Sequence, residues 1–242
     1  MKLLVSVQNQ AEVAAAVTGG ADLIDVKNTA TGALGMANPD VLLQVARTLG
    51  GHRDQIPLSA ALGELSEWTP QRIATPQPAI AGRYDYVKTG LAGMQQQTNW
   101  FRKWQQVRQL FPEQCHWVTV AYADADRSQS PDVDTLIEAA TAIGSKVLLI
   151  DTWKKDGSCL FDWCSEDQLH RVRQQTREAG IQLALAGQLR ISHTPVLQRI
   201  APDIVAVRGA VCETHQRSGQ MNPELVSQLR TRMDLPIVDQ AD

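Results

Sequence analysis

Short apolar runs alternate with longer amphipathic stretches along the whole chain. Eight runs are almost continuously apolar, as in KLLVSV (2–7) and KVLLID (146–151). Strands that are covered on both faces of a parallel sheet have this pattern. The six other predicted strands are residues 22–27, 57–62, 84–88, 116–123, 181–187 and 203–209.

The stretches between these runs predict amphipathic helices. The pairs Asn-Pro (38–39) and Ser-Pro (130–131) each combine an N-cap residue with a proline at the first helical position. Ser165, which is followed by acidic residues, predicts another helix start, and Gly180 predicts its end. The Pro-rich segment TPQRIATPQPAIAGR (69–83) predicts only a short helix or a turn.

A strand followed by a crossover, repeated eight times, predicts a (β/α)8 TIM barrel of the α/β class. A doubly wound open sheet is the alternative, and that fold usually has a Gly-rich phosphate loop after its first strand. Here the first strand leads into VQNQAE (7–12), which has no GxGxxG pattern. No linker or block of charge divides the chain, so we predict one barrel domain over residues 1–242.

Composition narrows the classes of function. The net charge of −3 and the pI of about 6.0 indicate neither nucleic acid nor an anionic membrane as a partner. The four cysteines form no CxxC pair and the five histidines form no HExxH motif, so we expect no metal and no cofactor. No apolar run is long enough to span a membrane, and the first residues do not have the pattern of a signal peptide, so we expect a cytoplasmic protein.

Charged residues follow several of the predicted strands. Strand two ends in Asp25 and Lys27, strand four in Lys88, and strand six in Asp151, with two lysines at 154–155. The active sites of barrel enzymes lie at these C-terminal strand ends. Alone, each lysine is accounted for as a solvated loop residue and each aspartate as a turn cap. Together on one rim they predict a site for an anionic ligand or for amine chemistry, because buried lysines are costly unless paired.

Amine chemistry requires an uncharged lysine. Burial and a neighbouring ammonium group both lower the pKa of a lysine below its ordinary value of about 10.4. The neutral amine then attacks a carbonyl carbon and forms a Schiff base. Asp25 shares a strand face with Lys27 and is placed to orient it, and Lys88 is placed to lower its pKa or to act as a base.

The last two predicted strands end in glycine, at Ala186-Gly187 and at Arg208-Gly209. Loops after strands seven and eight often form a phosphate site in barrels. Glycine lets backbone N–H groups approach an anion, and an arginine adds a forked donor. We therefore predict that Gly187, Arg208 and Gly209 bind a substrate phosphate, although simple turns are an alternative.

Long segments of the chain resemble one family of barrel enzymes, the (5-formylfuran-3-yl)methyl phosphate synthases. These enzymes, also called 4-(hydroxymethyl)-2-furancarboxaldehyde-phosphate synthases, act in methanofuran biosynthesis. The resemblance runs from the first predicted strand to beyond the eighth. The segments that carry it include GGADLIDVKNTATGALG (19–35), YDYVKTGL (84–91), DTWKKDGSCLFDWCSEDQL (151–169), LALAGQL (183–189) and DIVAVRGAVCE (203–213).

The resemblance implies a reaction and roles for five residues. The family condenses two molecules of glyceraldehyde 3-phosphate into a phosphorylated furan aldehyde, with loss of phosphate and water. By resemblance, Lys27 is the Schiff-base lysine and Lys88 the proton acceptor, while Asp25, Asp151 and Lys155 match active-site positions. The partners implied are small triose phosphates, and a homo-oligomer is expected for such a barrel.

Two other interpretations stay open. One is another class I aldolase-type barrel that acts on a different phosphorylated aldehyde, which keeps the lysine chemistry but gives an open-chain product. The other is a non-catalytic barrel that binds a phosphorylated metabolite, which leaves the crowding of lysines on one rim unexplained. The charge of −3 and the lack of a basic stripe argue against nucleic-acid binding.

Overall fold

Eight parallel strands close into a barrel in the computed structural model, which describes residues 1–236. Neighbouring strands pair in sequence order, and the eighth strand pairs with the first, so the predicted (β/α)8 fold is confirmed. Residues 237–242 of the predicted domain lie outside the described residues. The strands are β1 (Lys2–Val7), β2 (Leu23–Val26), β3 (Leu58–Glu64), β4 (Tyr86–Gly90), β5 (His116–Tyr122), β6 (Val147–Asp151), β7 (Gln182–Leu185) and β8 (Ile204–Val207).

Helices connect the strands. They are α1 (Val13–Thr18), α2 (Pro39–Leu49), α3 (Pro70–Ile73), α4 (Trp100–Arg108), α5 (Ala125–Ser128), α6 (Val133–Ile143), α7 (Glu166–Glu178), α8 (Thr194–Ile200) and α9 (Pro223–Asp234). The Asn-Pro start at 38–39 is confirmed, and so is the start of α7, where the Ser165 hydroxyl accepts a hydrogen bond from the Gln168 N–H. The Pro-rich segment forms only the single turn of α3. Among residues 1–236, no helix has both the length and the apolar character that a membrane crossing requires.

The predicted start of α6 at Ser130 and Pro131 is wrong by two residues. The helix begins after Asp132, whose carboxylate accepts a hydrogen bond from the Thr135 N–H at 2.8 Å. The Ser130 hydroxyl instead accepts a hydrogen bond from the Ser128 hydroxyl at 3.0 Å. Two residues with good N-cap chemistry stand two positions apart here, and the ionised side chain caps the helix.

Apolar side chains pack in two layers. The larger layer lies between the strands and the surrounding helices, and it takes the alternate residues of each strand, as with Leu3, Val5 and Val7 of β1. The smaller layer fills the inside of the barrel. Small side chains such as Ala186 and Ala206 leave room in this inner layer near the C-terminal ends of the strands. A cavity therefore opens at the end of the barrel where active sites of this fold lie.

Candidate active site

The cavity at the C-terminal end of the barrel has a volume of about 310 Å³. All five side chains predicted to be catalytic line it, although they come from β2, β4, β6 and the loops that follow β2 and β6. They are Asp25, Lys27, Lys88, Asp151 and Lys155. The structure thus brings the predicted set together around one space large enough for small phosphorylated molecules.

One side of the cavity holds a buried ion pair between Lys88 and Asp25. The exposed fractions of these residues are 3% and 1%. The Lys88 ammonium donates hydrogen bonds to the Asp25 carboxylate and, at 2.9 Å, to the Ser59 hydroxyl. The Ser6 hydroxyl donates to the second Asp25 oxygen at 3.3 Å. Burial opposes ionisation of Asp25, but the charges of Lys88 and Lys27 outweigh it and hold the pKa of Asp25 below its ordinary value.

A second lysine–aspartate pair lies across the barrel on β6. The Lys155 Nζ donates to Asp151 Oδ1 at 2.7 Å and to the Thr152 hydroxyl at 3.1 Å. The Thr152 backbone N–H also donates to Asp151 Oδ1, at 2.8 Å. Burial again opposes ionisation, yet Lys155 and Lys27 keep the pKa of Asp151 below its ordinary value. Both aspartates are therefore carboxylates at neutral pH.

Lys27 differs from the other two lysines because its amine has no direct partner in the part of the chain that the structure describes. It follows the last residue of β2, and its backbone N–H donates to the Val7 carbonyl, which holds it in the barrel wall. Among residues 1–236, no side chain or carbonyl accepts a hydrogen bond from its Nζ. Burial lowers the pKa of Lys27 to about 8, although Asp151 and Asp25 act in the opposite direction. Lys155 and a further cation, Arg217, also lower it by repulsion.

The two predicted glycines lie at the cavity as expected. Gly187 has a φ of +96°, and a Cβ there would come within 3.1 Å of Thr152 Cγ2 and 3.2 Å of the Thr152 nitrogen. Gly209 opens the loop after β8, where a Cβ would lie 3.1 Å from the His215 carbonyl oxygen. Both positions therefore favour glycine, and both bring backbone to the cavity wall.

The Arg208 side chain, which we predicted to bind phosphate, lines the cavity but is engaged within the protein. All five of its N–H groups are already used within the protein. Two bind the Glu12 carboxylate, at 2.5 and 2.8 Å, and the other three bind the carbonyl oxygens of Ser6, Arg217 and Gly219. Arg208 is 6% exposed, so this bidentate pair ties the loop after β8 to the loop after β1.

The structure adds polar residues that the sequence did not point to. Ser6 and Ser59 stand on either side of Asp25 in the strand register. A small polar residue inside an otherwise apolar strand was the only signal for them in the sequence. Arg217 lies in the loop after β8 and lines the cavity. Nothing in its sequence position indicated this. In the part of the chain that the structure describes, no group of three or more His, Cys, Asp or Glu side chains is arranged to hold a metal ion.

The model of a known protein family, 4-HFC-P synthase, matches residues 3–230. The chain belongs to the 4-HFC-P synthase family. Three relatives, each named (5-formylfuran-3-yl)methyl phosphate synthase, extend this match. The Methanosarcina barkeri protein is 35% identical over 95% of this chain and 97% of its own length. Those of Methanopyrus kandleri and Archaeoglobus fulgidus are each 34% identical, over 94% and 95% of this chain and 97% of their own lengths.

Solved structures with much lower identity share the fold. Thiamine phosphate pyrophosphorylase from Pyrococcus furiosus aligns with a TM-score of 0.62 at 13% identity, over 96% of this chain and 95% of its own. The 3-hexulose-6-phosphate synthase from Salmonella typhimurium aligns with a TM-score of 0.60 at 15% identity, over 96% and 100%. These likenesses show that this chain has the TIM-barrel fold. They carry no information on its substrate.

Proposed function

We propose that this chain condenses two molecules of glyceraldehyde 3-phosphate into (5-formylfuran-3-yl)methyl phosphate through a Schiff base on Lys27. The observation that carries the proposal is the Lys27 amine, which lies between two lysine–aspartate pairs and has a pKa lowered to about 8. Within the described residues this amine has no hydrogen-bond partner. The family match over most of the chain supports the same reaction. The product serves the biosynthesis of methanofuran or of an analogue of it.

The lowered pKa has a large effect on the supply of reactive amine. At pH 7.5 a pKa of about 8 leaves about a quarter of the Lys27 side chains neutral, whereas the ordinary value of 10.5 leaves about one in a thousand. The neutral amine is the form that attacks a carbonyl. The site therefore raises the concentration of the nucleophile by roughly 250-fold without removing the lysine from its two flanking carboxylates.

The two ion pairs are suited to moving protons around the Schiff base. Once Lys27 has formed an iminium with one triose phosphate, loss of a proton from the neighbouring carbon gives an enamine. The enamine carbon attacks a carbonyl carbon of the second triose. Ring closure and aromatisation then expel one phosphate and, by the balance of atoms, two molecules of water. We assign Lys88, once it has passed its own proton to the Asp25 carboxylate, as the acceptor of the carbon-bound proton. We assign Asp25, Asp151 and Lys155 to proton transfer in the dehydration steps.

Backbone groups bind one of the two substrate phosphates on this proposal. Gly187 and Gly209 bring backbone to the cavity next to one another, at the ends of neighbouring strands β7 and β8. Loops at this position bind phosphate in many barrels through N–H groups. Because the Arg208 side chain is fully engaged, its contribution is to hold the loop and not to contact the anion.

Trapping of the Schiff base tests this function. The protein would be incubated with glyceraldehyde 3-phosphate and sodium borohydride, digested and mapped by mass spectrometry, with Lys27→Ala and Lys154→Ala as a matched pair. Lys154 is exposed and neighbours the site without lining the cavity. We expect an adduct on Lys27 that persists in Lys154→Ala, and a furan absorption band in the incubation without borohydride.

Each other result selects a different interpretation. An adduct on Lys27 without the furan band would contradict furan synthesis and favour another class I aldolase-type barrel. Absence of both the adduct and the band would contradict the Schiff base and favour a barrel that only binds a phosphorylated metabolite. An adduct that persists in Lys27→Ala would show that a different amine reacts.

A further inference from the structure

The loop after β8 is folded back on itself and carries Arg217. Cys212 and Met221 form an antiparallel bridge at its base, and the Glu213 N–H donates to the Gln220 carbonyl at 2.8 Å. Between them, Thr214 and His215 adopt positive φ values of 63° and 53°, which are uncommon for residues other than glycine. The loop thus has a defined shape at the mouth of the cavity.

The backbone of Arg217 is held in place by the buried Arg208 side chain and the partly buried Gln8 side chain. The Arg208 Nε donates to the Arg217 carbonyl at 2.9 Å, and the Gln8 amide donates to the same oxygen at 3.3 Å. A second guanidinium nitrogen of Arg208 donates to the Gly219 carbonyl at 3.0 Å. Because Glu12 holds Arg208 in turn, a chain of charge-assisted bonds leads from the loop after β1 to the backbone of Arg217.

The side chain of Arg217 reaches from this loop past the end of β1 to the loop after β2. One guanidinium nitrogen donates to the Gly32 carbonyl, at 2.8 Å, in the loop after β2. Its charge acts on Lys27, and the charge of Asp151 acts on it, so the guanidinium lies close to the reacting centre. Among residues 1–236, its remaining N–H groups have no protein acceptor.

The cations that line the cavity fall into two groups, those that are paired with a carboxylate and those, including Arg217, that are not paired within the described residues. The other two lysines are each paired with an aspartate, and Arg208 is paired with Glu12. Within the described part of the chain, Lys27, Arg190 and Arg217 line the cavity with no carboxylate at salt-bridge distance. Of the two arginines, Arg190 is exposed and Arg217 is partly buried. A partly buried cation that has no carboxylate at salt-bridge distance favours an anionic ligand.

We propose that Arg217 binds the phosphate group of a substrate triose and that Arg208 positions it by holding its backbone. This inference rests on the proposed function in taking a triose phosphate as the substrate. The planar fork of a guanidinium matches the oxygens of a phosphate, and the Gly32 bond orients that fork across the cavity mouth. On this proposal the arginine that contacts the phosphate is Arg217, nine residues after Arg208 in the chain.

Binding of glycerol 3-phosphate tests the proposal without the chemistry. This probe carries the phosphate of a triose but no carbonyl group, so it cannot form a Schiff base. Isothermal titration calorimetry would compare wild type, Arg217→Gln, Arg217→Lys and the control Arg102→Gln, which changes an exposed arginine of α4. We expect Kd to rise about 10- to 100-fold in Arg217→Gln, less in Arg217→Lys, and not at all in the control.

A double-variant cycle tests the positioning by Arg208. If Arg208 acts through Arg217, Arg208→Lys weakens glycerol 3-phosphate binding in the wild-type background but adds little to Arg217→Gln. A purely structural function of Arg208 would instead weaken binding by the same factor in both backgrounds, which would overturn the positioning step. Circular dichroism would establish that each variant is folded. If Arg208→Lys does not fold, the Arg217 pair still decides whether the guanidinium binds phosphate.

Failure of this inference and failure of the proposed function give different results. Equal affinity in wild type and Arg217→Gln, or no binding by the wild type, overturns the proposal for Arg217 whatever the reaction catalysed. If the Arg217 effect is present but glyceraldehyde 3-phosphate yields no furan band, the phosphate ligand stands and the furan synthesis fails. With the furan reaction present, we also expect KM for glyceraldehyde 3-phosphate to rise by a similar factor in Arg217→Gln.

Discussion

Removal of the Lys155 charge should make the Lys27 amine less reactive at neutral pH. Lys155 lowers the pKa of Lys27 by repulsion, and in Lys155→Met that repulsion is lost. The same substitution frees Asp151 from its partner, so its attraction for the Lys27 ammonium grows. Both changes have the same sign, and they favour the protonated form of Lys27.

The total lowering of the Lys27 pKa sets an upper limit on the effect of Lys155→Met. The pKa of Lys27 lies at about 8 instead of 10.5, and burial, the largest cause, stays in the variant, as does Arg217. We therefore expect a rise of about one pKa unit, equivalent to about 1.4 kcal/mol. At pH 7.5 this lowers the neutral fraction of Lys27 from about a quarter to about 3%, a loss of roughly eightfold.

Competitive acetylation measures this pKa without relying on catalysis. The protein would be treated with a trace of acetic anhydride across the neutral and alkaline range, and modification of the Lys27 peptide followed by mass spectrometry. We expect a midpoint at about 8 in wild type, above it in Lys155→Met, and unchanged in Lys154→Met. A wild-type midpoint at 10.5, or a midpoint that falls in Lys155→Met, would refute the electrostatic account of Lys27.

Three further substitutions test the energetics of the site. Lys27→Met should raise the free energy of unfolding at neutral pH by about 1–3 kcal/mol, because folding lowers the pKa of this lysine. Between about pH 8 and 10.5 the unfolded chain binds one more proton at Lys27 than the folded chain, so the stability of the wild type rises with pH through that window. The stability gain of Lys27→Met over the wild type therefore shrinks as the pH rises. Urea titrations at neutral and strongly alkaline pH check this. Lys88→Ala should lower the unfolding free energy by about 3–5 kcal/mol because Asp25 is left buried without its partner, and adding Asp25→Asn should restore much of it in the same titrations. Gly187→Ala should lower the melting temperature through a cost of about 1–3 kcal/mol, because its φ is +96° and Thr152 crowds the new Cβ; no change in calorimetry would contradict the strain.

The strands could be predicted because parallel strands covered on both faces are apolar at nearly every position. Four charged residues at their ends could be predicted to lie together because a barrel directs strand C-termini to one place. The choice of Lys155 over Lys154 came from the family resemblance alone. The start of α6 could not be chosen from local pattern, since Ser130 and Asp132 have similar capping chemistry. The pairing of Arg208 could not be predicted because its partner Glu12 lies 196 residues away, and residue type alone does not reveal a distant counter-charge.

The position of Arg217 in the cavity could not be predicted from the sequence. It stands ten residues beyond the end of β8, so reading the strand ends could not find it. Its place in the cavity depends on a loop that folds back and on a carbonyl held by Arg208. Such placement is a property of tertiary contacts, and only the three-dimensional structure shows it.

The charged groups around Lys27 are far apart along the sequence, and this has a consequence while the chain is being synthesised. Three of the charged groups that act on its amine, Asp151, Lys155 and Arg217, leave the ribosome more than a hundred residues after Lys27 itself. Until the eighth strand closes against the first, that lysine is an ordinary protonated side chain in water. A nascent or unfolded chain therefore carries no amine primed to react with the aldehydes of central metabolism. The reactive nucleophile comes into existence only with the finished barrel, which protects incomplete chains from forming adducts.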